Sequence, residues 1–376
     1  MNYQEESIKL HFKHKGKLAT VSKVSVKDKE DLSLAYSPGV AGPCLEIQKD
    51  KSKVMDLTWR GNLVAVISDG TAVLGLGDIG PEAALPVMEG KCLLLKEFAG
   101  VDAIPIVLNT KDTEEIIQTI KMIAPSFSGI NLEDISAPRC FEIETRLQQE
   151  LDIPVFHDDQ HGTAIVCLAA LINSSKIIGK DLRKERVVIN GAGAAAIASA
   201  KLLLEYGFND IVVLDSKGIL SSDRTDLNDF KKDLLKTVNK KDIKGGLSEA
   251  MKDAQIFIGL SVGNIVTEEM VKSMQPDPII IAMANPTPEI DPSLAKKAGA
   301  RIIATGRSDY PNQVNNVLGF PGIFRGLLDK KKKEVTMQMK LDVAKALADL
   351  VEEPNEEYII PRPFDKKVVP AVSGAI

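Results

Sequence analysis

The sequence contains few cysteines and no excess of basic residues. Its cysteines, Cys44, Cys92, Cys140 and Cys167, lie far apart, and no two of them form a Cys-x-x-Cys pair. This spacing excludes a zinc ribbon and a dense framework of disulfide bonds. Acidic residues outnumber basic ones by 52 to 47, the net charge is −5, and the two signs are interspersed. We therefore expect no nucleic-acid partner and no anionic membrane partner, because both would need a basic face.

Long hydrophobic runs are absent as well. The longest apolar stretches are short and interrupted by charged residues, so none of them is predicted to span a membrane. The first residues, Met-Asn-Tyr-Gln-Glu-Glu, are polar and acidic, and no apolar signal segment follows them. The expected location is therefore the cytoplasm.

The composition itself is that of a globular protein, with 44% hydrophobic and 26% charged residues in a chain of 376. Short apolar runs alternate with amphipathic stretches, which is typical of an α/β fold with parallel sheets. Because the chain exceeds one typical core, we predict two domains. Residues 1–157 would form an N-terminal α/β substrate domain. Residues 158–376 would form a Rossmann-type, doubly wound dinucleotide-binding domain with a C-terminal helical tail.

The pattern predicts strands and helices in two series. The predicted strands of the first series are Leu63–Ser68, Asp102–Val107, Gly129–Leu132 and Pro154–His157, and the helices are Pro81–Phe98, Thr113–Ala124 and Pro138–Leu151. The predicted strands of the second series are Arg186–Ile189, Ile211–Leu214, Gln255–Ile258, Ile279–Ala282 and Arg301–Ala304, with helices at Ala194–Tyr206 and around Val335–Val351.

A dinucleotide fingerprint opens the second series. It follows a predicted strand, begins a helix and reads Gly191, Ala192, Gly193, Ala194, Ala195, Ala196. The first glycine permits a tight turn, the second lets the backbone approach a pyrophosphate, and the alanine lets the helix pack closely on the strand. Asp215 ends the next predicted strand, where its carboxylate would accept hydrogen bonds from a ribose. This favours NAD, and NADP stays open because Lys217 and Arg224 could neutralise a 2′-phosphate.

Two acidic pairs follow predicted strands of the first series. Glu133 and Asp134 come directly after Gly129–Leu132, and Asp158 and Asp159 come directly after Pro154–His157. Ligands of open α/β sheets bind beyond the carboxyl ends of strands, so the two pairs can converge there. Carboxylates that lie close together repel unless a cation joins them, and oxygen ligands alone favour Mg²⁺ or Mn²⁺. The alternative is that these acids cap the helices that follow.

A zinc site at His157 and His161 is a weaker interpretation. Four-residue spacing places two imidazoles on one face only where the segment is helical. The preceding strand and Gly162 predict instead that the helix begins at about Gln160.

Several motifs together resemble the compact prokaryotic malic enzymes over nearly the whole chain. In order, they are Tyr36-Ser-Pro-Gly-Val-Ala, Leu74-Gly-Leu-Gly-Asp78, Gly90-Lys91, Glu133-Asp134, His157-Asp-Asp-Gln-His-Gly-Thr-Ala164, Ala284-Asn-Pro-Thr287 and Asn315-Asn316. The resemblance implies oxidative decarboxylation of L-malate to pyruvate and carbon dioxide with NAD(P) and a divalent metal. It also implies a homo-oligomer, at least a dimer.

The resemblance further implies roles for individual residues. The metal ligands would be Glu133, Asp134 and Asp159. Lys91 would be the general base for the C2 hydroxyl, and Tyr36 would be the acid that protonates C3 after decarboxylation.

Asp158 would be the partner of Lys91, while Asn285 would contact the nicotinamide and Asn315 and Asn316 the substrate. A lysine titrates well above neutral pH, so a catalytic base at this position is expected to have a lowered pKa.

On the residues alone, plainer interpretations remain. Tyr36 could be a packed aromatic at a turn, and Lys91 could be a surface lysine of an apolar helix. Leu74–Asp78 is interpreted as a backbone turn near the active site, and Asn285-Pro286 could simply begin a turn. The position where larger animal-type relatives carry an arginine for a malate carboxylate is Ala72, so the partner of that carboxylate is unidentified.

Two other classes of protein compete with this interpretation. An amino-acid dehydrogenase would also combine a substrate domain with a Rossmann domain and a lysine, but it would need no metal. A silent dinucleotide-binding regulator would have no need for Tyr36, Lys91 and the three acids together.

Overall fold

The computed structural model describes residues 3–73 and 75–376, and its first part is a run of short helices without a core of its own. These helices are α1 (Tyr3–His14), α2 (Lys29–Ala35), α3 (Ala41–Lys49) and α4 (Val54–Leu57). No residue between positions 3 and 62 is buried, and the first buried side chain is Leu63. This part of the chain therefore contributes no fully buried side chain to the core.

A four-stranded parallel sheet forms the body of the first domain. Its elements are β1 (Leu63–Ser68), α5 (Pro81–Ala99), β2 (Asp102–Val107), α6 (Thr113–Ile123), β3 (Gly129–Leu132), α7 (Arg139–Glu150) and β4 (Val155–His157). The strand order is β2-β1-β3-β4. β1, β2 and β3 have the predicted bounds, whereas β4 begins one residue later than predicted. β3 and β4 pair in parallel with Leu132 opposite His157, so Glu133 and Asp158 leave the sheet side by side.

Helix α8 (Asp158–Ile178) connects the two sheets and is buried over most of its length. It is long and apolar enough to cross a membrane by length and composition, although the sequence analysis had found no such stretch. Because 67% of that window is buried inside the protein, a core helix is sufficient to explain it. The predicted helix start at about Gln160 is wrong, since the helix begins at Asp158. The buried Glu144 carboxylate accepts the His157 backbone amide at 2.9 Å and thereby satisfies a donor at the earlier start.

The second sheet has six strands in the order β10-β9-β8-β5-β6-β7. Its elements are β5 (Arg186–Asn190), α9 (Ala194–Tyr206), β6 (Asp210–Asp215), β7 (Gly218–Ile219), α10 (Asp229–Leu235), α11 (Leu247–Met251), β8 (Ile256–Gly259), α12 (Glu268–Lys272), β9 (Ile279–Ala282), α13 (Pro292–Lys297) and β10 (Ile302–Thr305). The short β7 runs antiparallel to β6, and the other pairings are parallel. The predicted strands lie within two residues of these bounds.

The chain turns to opposite sides of β5 on its way to β6 and to β8, which makes the carboxyl end of β5 a topological switch point. The chain ends in α14 (Phe320–Asp329), α15 (Met337–Asp349) and α16 (Val368–Gly374). The first two of these pack on α5 and α8 respectively. An α/β fold with an N-terminal domain and a Rossmann-like second domain is thus confirmed.

Candidate active site

The acidic pairs of the first sheet converge as predicted. Single carboxylate oxygens of Glu133, Asp134 and Asp159 lie within 4.8 Å of one another. The backbone amide of Asp134 donates to Asp159 Oδ2 at 2.7 Å, which joins the end of β3 to the first turn of α8. Asp134 has a φ of 54°, an uncommon left-handed conformation that aspartate tolerates better than most residues. The backbone is therefore bent so that three acids face one point.

This group of acids fits a divalent cation. Burial raises the pKa of Glu133 to about 7 and that of Asp134 to about 9, and repulsion from Asp159 adds to both shifts. Asp134 Oδ2 is also a buried oxygen without a hydrogen-bond partner among the described residues. A cation bound between buried carboxylate oxygens cancels their mutual repulsion, so such a group favours cation binding. Among the described residues this is the only group of acids, histidines and cysteines close enough to hold a metal, so the zinc interpretation of His157 and His161 is wrong.

Lys91 points from α5 into the same cluster and is not a surface lysine. Its ammonium lies 2.9 Å from Glu133 Oε1, forms an ion pair with Asp158 and stands 4.5 Å above the ring centre of Phe320. Burial lowers the pKa of Lys91, but the surrounding carboxylates of Asp158, Glu133 and Asp159 raise it further than burial lowers it. The expected lowering of the Lys91 pKa is therefore wrong for the protein without a bound cation, because three acids surround the amine.

Asp158 is fully buried in the first turn of α8, and its carboxylate lies against Gly162 in the next turn. A Cβ added at Gly162 would lie 2.0 Å from Asp158 Oδ1, so a larger residue at Gly162 would displace the carboxylate. Burial raises the pKa of Asp158 to about 7, and the positive charge of Lys91 opposes that shift. In the described part of the chain the buried Oδ1 has no hydrogen-bond partner, whereas Oδ2 accepts a hydrogen bond from Lys91.

The sequence analysis missed Glu144, a buried acid of α7 that fixes the start of α8. Besides the His157 amide, Glu144 accepts hydrogen bonds from Gln160 Nε2 and His161 Nε2, both at 3.0 Å. Burial raises the pKa of Glu144, but its interactions with His161, His157 and Lys340 lower it more, to about 2. A signal existed in the pattern, since Glu144 shares the apolar stripe of α7 with Cys140 and Leu147.

A cleft of about 380 Å³ lies between the acids and the second sheet. It brings together the predicted residues Asp159, Gly193, Ala194, Ala195, Asn285, Asn315 and Asn316, and Ala72 also lines it. The turn at 75–77 closes through pairing of Val73 with Gly77, and Leu74 of the predicted turn lies outside the described residues. A Cβ at Gly75 would be 2.5 Å from the Asn285 carbonyl oxygen, so this turn packs directly beside the cleft.

The glycine turn opens on a second cavity of about 840 Å³, to which Gly193 also belongs. Gly191 has a φ of 129°, and a Cβ there would lie 2.5 Å from the Leu260 carbonyl oxygen. A Cβ at Gly193 would meet nothing within 4 Å. Gly191 is therefore required by the fold, whereas Gly193 leaves open space where a cofactor could approach the backbone.

Asp215 also lines this second cavity together with Gly191 and Ala192, but its carboxylate is already paired. Arg224 donates to both of its oxygens at 3.1 Å, and Lys231 Nζ lies 2.7 Å from Oδ2. Burial raises the pKa of Asp215, but the hydrogen bonds from Arg224 and Lys231 lower it more, to about 2. Lys217 forms its ion pair with Asp226 instead, at 2.8 Å.

Tyr36 is a predicted catalytic residue for which the structure shows no contact with the acid cluster or the cleft among the described residues. Its side chain is 69% exposed at the end of α2, and it is not among the residues that line either cavity. Arg139, a cation close to Ala72, is held by Asp69 at 2.9 Å and by Thr71 Oγ1 at 3.0 Å.

Comparison with protein families matches both halves of the chain. Residues 15–114 and 110–148 match the family described as "Malic enzyme, N-terminal domain", and residues 160–366 match "Malic enzyme, NAD binding domain". The chain is 56% identical to the "Bifunctional malic/malolactic enzyme" of Bacillus subtilis, over 100% of this chain and 92% of that one.

Two further similar proteins are also named malic enzymes. The "NAD-dependent malic enzyme" of Geobacillus stearothermophilus is 58% identical over 96% of this chain and 76% of its own length. The crystal structure of the NAD-dependent malic enzyme from Thermotoga maritima superposes with a TM-score of 0.95 at 48% identity and covers 98% of both chains. Other bacterial relatives are named NADP-dependent malic enzymes.

Proposed function

Since the chain belongs to the malic enzyme family and is an NAD- or NADP-dependent malate dehydrogenase of the decarboxylating type, we propose how its own residues carry out the reaction. The observation that supports the proposal most strongly is the convergence of Glu133, Asp134 and Asp159 next to the Lys91 ammonium. The family assignment also replaces the amino-acid dehydrogenase and the silent regulator as interpretations.

Glu133, Asp134 and Asp159 would hold Mg²⁺ or Mn²⁺ beside the cleft. When bound, the cation would supply positive charge that polarises the C2 oxygen of malate, and the nicotinamide would accept the hydride from C2. The buried acids cannot all stay ionised without such a charge, which is why their pKa values rise in the protein alone.

Lys91 would take the proton of the C2 hydroxyl, and Asp158 would keep the amine in position. The ion pair with Asp158 and the contact with Glu133 place Lys91 Nζ at the rim of the acid cluster, where that hydroxyl would lie. The carboxylates raise the pKa of Lys91, so the protein alone holds it as an ammonium. The positive charge of a cation bound to those acids would oppose that shift and favour the neutral amine that can accept the proton. Tyr36 would later give a proton to C3.

Substrate and cofactor would share the cleft between the sheets. The amide side chains of Asn285, Asn315 and Asn316 line it opposite Asp159. Because Arg139 is already paired with Asp69, asparagine amides are the groups we assign to the malate carboxylate in place of the arginine missing at Ala72. The dinucleotide would continue over Gly193 into the second cavity, where Asp215 lies with Arg224 and Lys231.

The test is a turnover assay with L-malate that follows reduced nicotinamide while pyruvate and lactate are quantified. NAD is compared with NADP, and added Mn²⁺ is compared with a chelator. We expect metal-dependent reduction with an equal yield of pyruvate. Reduction that survives chelation would contradict the metal assignment, and lactate without net reduction would indicate the malolactic reaction named for the Bacillus subtilis relative.

A further inference from the structure

Glu289 is a buried acid to which the proposed reaction assigns no part. It lies between β9 and α13, and its side chain is 0% exposed. Burial raises the pKa of Glu289, and hydrogen bonds from the backbone amides of Ala284 and Ser261 oppose that rise, without a contribution from any cation among the described residues. A buried carboxylate without a cation costs free energy that an apolar side chain would not, so packing alone does not explain an acid here.

The two carboxylate oxygens of Glu289 join the loops that follow β8 and β9. Oε1 accepts the Ser261 backbone amide at 3.2 Å, and Oε2 accepts the Ala284 backbone amide at 3.0 Å. The Glu289 carbonyl also accepts the backbone amides of Ile265 and Val266, at 3.0 and 2.9 Å. An ionised carboxylate accepts at both oxygens, whereas a carboxamide accepts at one end and donates at the other. Glutamate is therefore suited to hold two amide donors from two different loops.

Gly259, the last residue of β8, leaves the space that this carboxylate occupies. A Cβ at Gly259 would lie 2.2 Å from Glu289 Cδ and 2.4 and 2.6 Å from its two oxygens. The backbone of Gly259 is not in the left-handed region, so its conformation does not require a glycine. The glycine is explained by the close approach of the carboxylate, which shows that the end of β8 is shaped around Glu289.

Both of the loops that Glu289 joins line the cleft. Ser261 and Ala284 are among its lining residues together with Asn285, and Ser261 lines the second cavity as well. Asn190 Nδ2 donates to Ser261 Oγ at 2.6 Å, so the end of β5 is connected to the same loop. Glu289 itself lines neither cavity. It can therefore act on a bound ligand only through the loops that it holds.

We propose that Glu289 is a positioning residue of the reaction, whose carboxylate holds the loops after β8 and β9 at the spacing in which Ser261 and Asn285 form one wall of the cleft. The inference rests on the proposed contact of Asn285 with the nicotinamide. Because Asn285 directly follows Ala284, a shift of the Ala284 amide moves Asn285 with it. A displacement of about 1 Å at a group that orients reactants can lower a rate about a hundredfold.

The first test is Glu289→Gln, which keeps the size of the side chain but turns one of its two acceptors into a donor. Calorimetry with NAD or NADP, whichever the wild type binds more tightly, should show a dissociation constant raised about tenfold. At saturating malate, dinucleotide and Mn²⁺, kcat should fall at least about a hundredfold. A merely structural role would leave fewer binding sites per chain at an unchanged dissociation constant and would lower kcat only in the same proportion, and that pattern would overturn the proposal.

Gln255 provides the matched control, since it is an equally buried side chain that joins loops at the opposite end of β8. Its Nε2 donates to the carbonyls of Pro276 and Asp277, at 3.1 and 2.7 Å. Gln255→Leu should lower the thermal stability, because these carbonyls lose their donor, but it should change neither the dissociation constant nor kcat. If Gln255→Leu weakened dinucleotide binding as much as Glu289→Gln, a general loss of stability would explain both results and the proposal would fail.

Gly259→Ala acts on the same carboxylate from the other side. Its methyl group would occupy the place of the Glu289 carboxylate, so this variant should also weaken dinucleotide binding. Because both substitutions displace one group, the double variant should bind about as well as the weaker single variant. Losses that multiply in the double variant would contradict a shared cause. A wild type without metal-dependent turnover of malate would contradict the proposed function, whereas a normal wild type with an unaffected Glu289→Gln variant would contradict the positioning role alone.

Discussion

The carboxyl edges of the two sheets differ in charge and in the size of their side chains. The edge of the first sheet places four acids, Glu133, Asp134, Asp158 and Asp159, around the Lys91 ammonium in a buried volume. The edge of the second sheet is formed by glycine and alanine, and the one acid there is already paired by two cations. The acids of the first edge repel one another, and a bound cation would relieve that repulsion, whereas the second edge leaves room for a cofactor to approach the backbone.

Because of this difference, substitutions at the two edges should have different effects on activity and stability. At the acidic edge a change of charge should abolish the reaction without harming the fold, because the acids repel one another in the protein alone. At the glycine edge a change of size should harm the fold or the cofactor, depending on which glycine is replaced.

The largest effect is expected from Asp159→Asn at the acidic edge. The substitution removes one anionic ligand, and kcat/KM for malate should fall at least about a thousandfold, or ~4 kcal/mol. Thermal unfolding of the metal-free protein should not shift downward, because one repelling charge is gone while the amide oxygen can still accept the Asp134 backbone amide. Mn²⁺ titration followed by electron paramagnetic resonance should show weakened binding.

Asp152→Asn is the matched control, since that carboxylate is exposed and pairs only with Lys333 among the contacts the structure describes. It should leave kcat/KM and Mn²⁺ binding unchanged. If Asp159→Asn kept its Mn²⁺ affinity, the acidic edge would not be the metal site.

The two glycines of the second edge should separate fold from cofactor binding. Gly191→Ala meets both a left-handed φ and the Leu260 carbonyl at 2.5 Å, so the free energy of unfolding should fall by about 2–4 kcal/mol. Gly193→Ala meets open space and should unfold like the wild type, but its Cβ would enter the space left for the dinucleotide. Urea unfolding and dinucleotide binding by calorimetry measure the two effects. Equal loss of stability in both variants would contradict separate roles of Gly191 in the fold and Gly193 in cofactor binding.

Glu144→Gln tests whether the acidic edge depends on the cap of α8. The neutral side chain loses charge-assisted hydrogen bonds to the His157 amide and to His161, which should lower the free energy of unfolding by about 1–3 kcal/mol. Since α8 carries Asp158 and Asp159, kcat should fall as well. Glu142→Gln, on the exposed face of the same helix, is the control and should change neither quantity. A kcat equal to that of the wild type would show that the cap serves stability alone.

More of the glycine edge than of the acidic edge could be predicted from the sequence. The glycine edge is local, since the fingerprint and Asp215 lie within 25 residues and strand, turn and helix follow in order. The acidic edge joins α5, β3 and α8, and the strand-end rule predicted its convergence because β3 and β4 are parallel neighbours. The role of Lys91 came from the family resemblance, and its contacts are known only from the structure.

What the sequence could not predict depended on contacts between distant elements. The early start of α8 requires Glu144 from α7, and the direction of the Lys91 pKa depends on three acids at once. The pairing of Asp215 by both Arg224 and Lys231 needs the loop after β7 and the helix α10. The exposure of Tyr36 follows from the position of α2, a helix that buries none of its residues, and no local pattern encodes that position.

Arg224→Ala should change cofactor choice and little else. Without Arg224, Asp215 keeps one cation instead of two, so its negative charge would act more strongly on a 2′-phosphate. We expect the ratio of kcat/KM for NADP over NAD to fall about tenfold, equivalent to ~1.4 kcal/mol. Arg183→Ala, whose ion pair is with Asp181 at the surface, should leave the ratio unchanged. An unchanged ratio in Arg224→Ala would mean that the 2′ position lies away from Asp215.

The smallest effect concerns thiol chemistry and compares the three buried cysteines with the exposed Cys44. Burial raises the pKa of Cys92, and it raises the pKa of Cys140 and of Cys167 to about 12, so near neutral pH these thiols carry almost no reactive thiolate. Cys44 in α3 is exposed in the single chain. A disulfide reagent should therefore modify one of the four thiols in the native protein and all four in denaturant. Because Cys92 follows Lys91 on α5, its rapid modification would mean that the helix under the acidic edge opens.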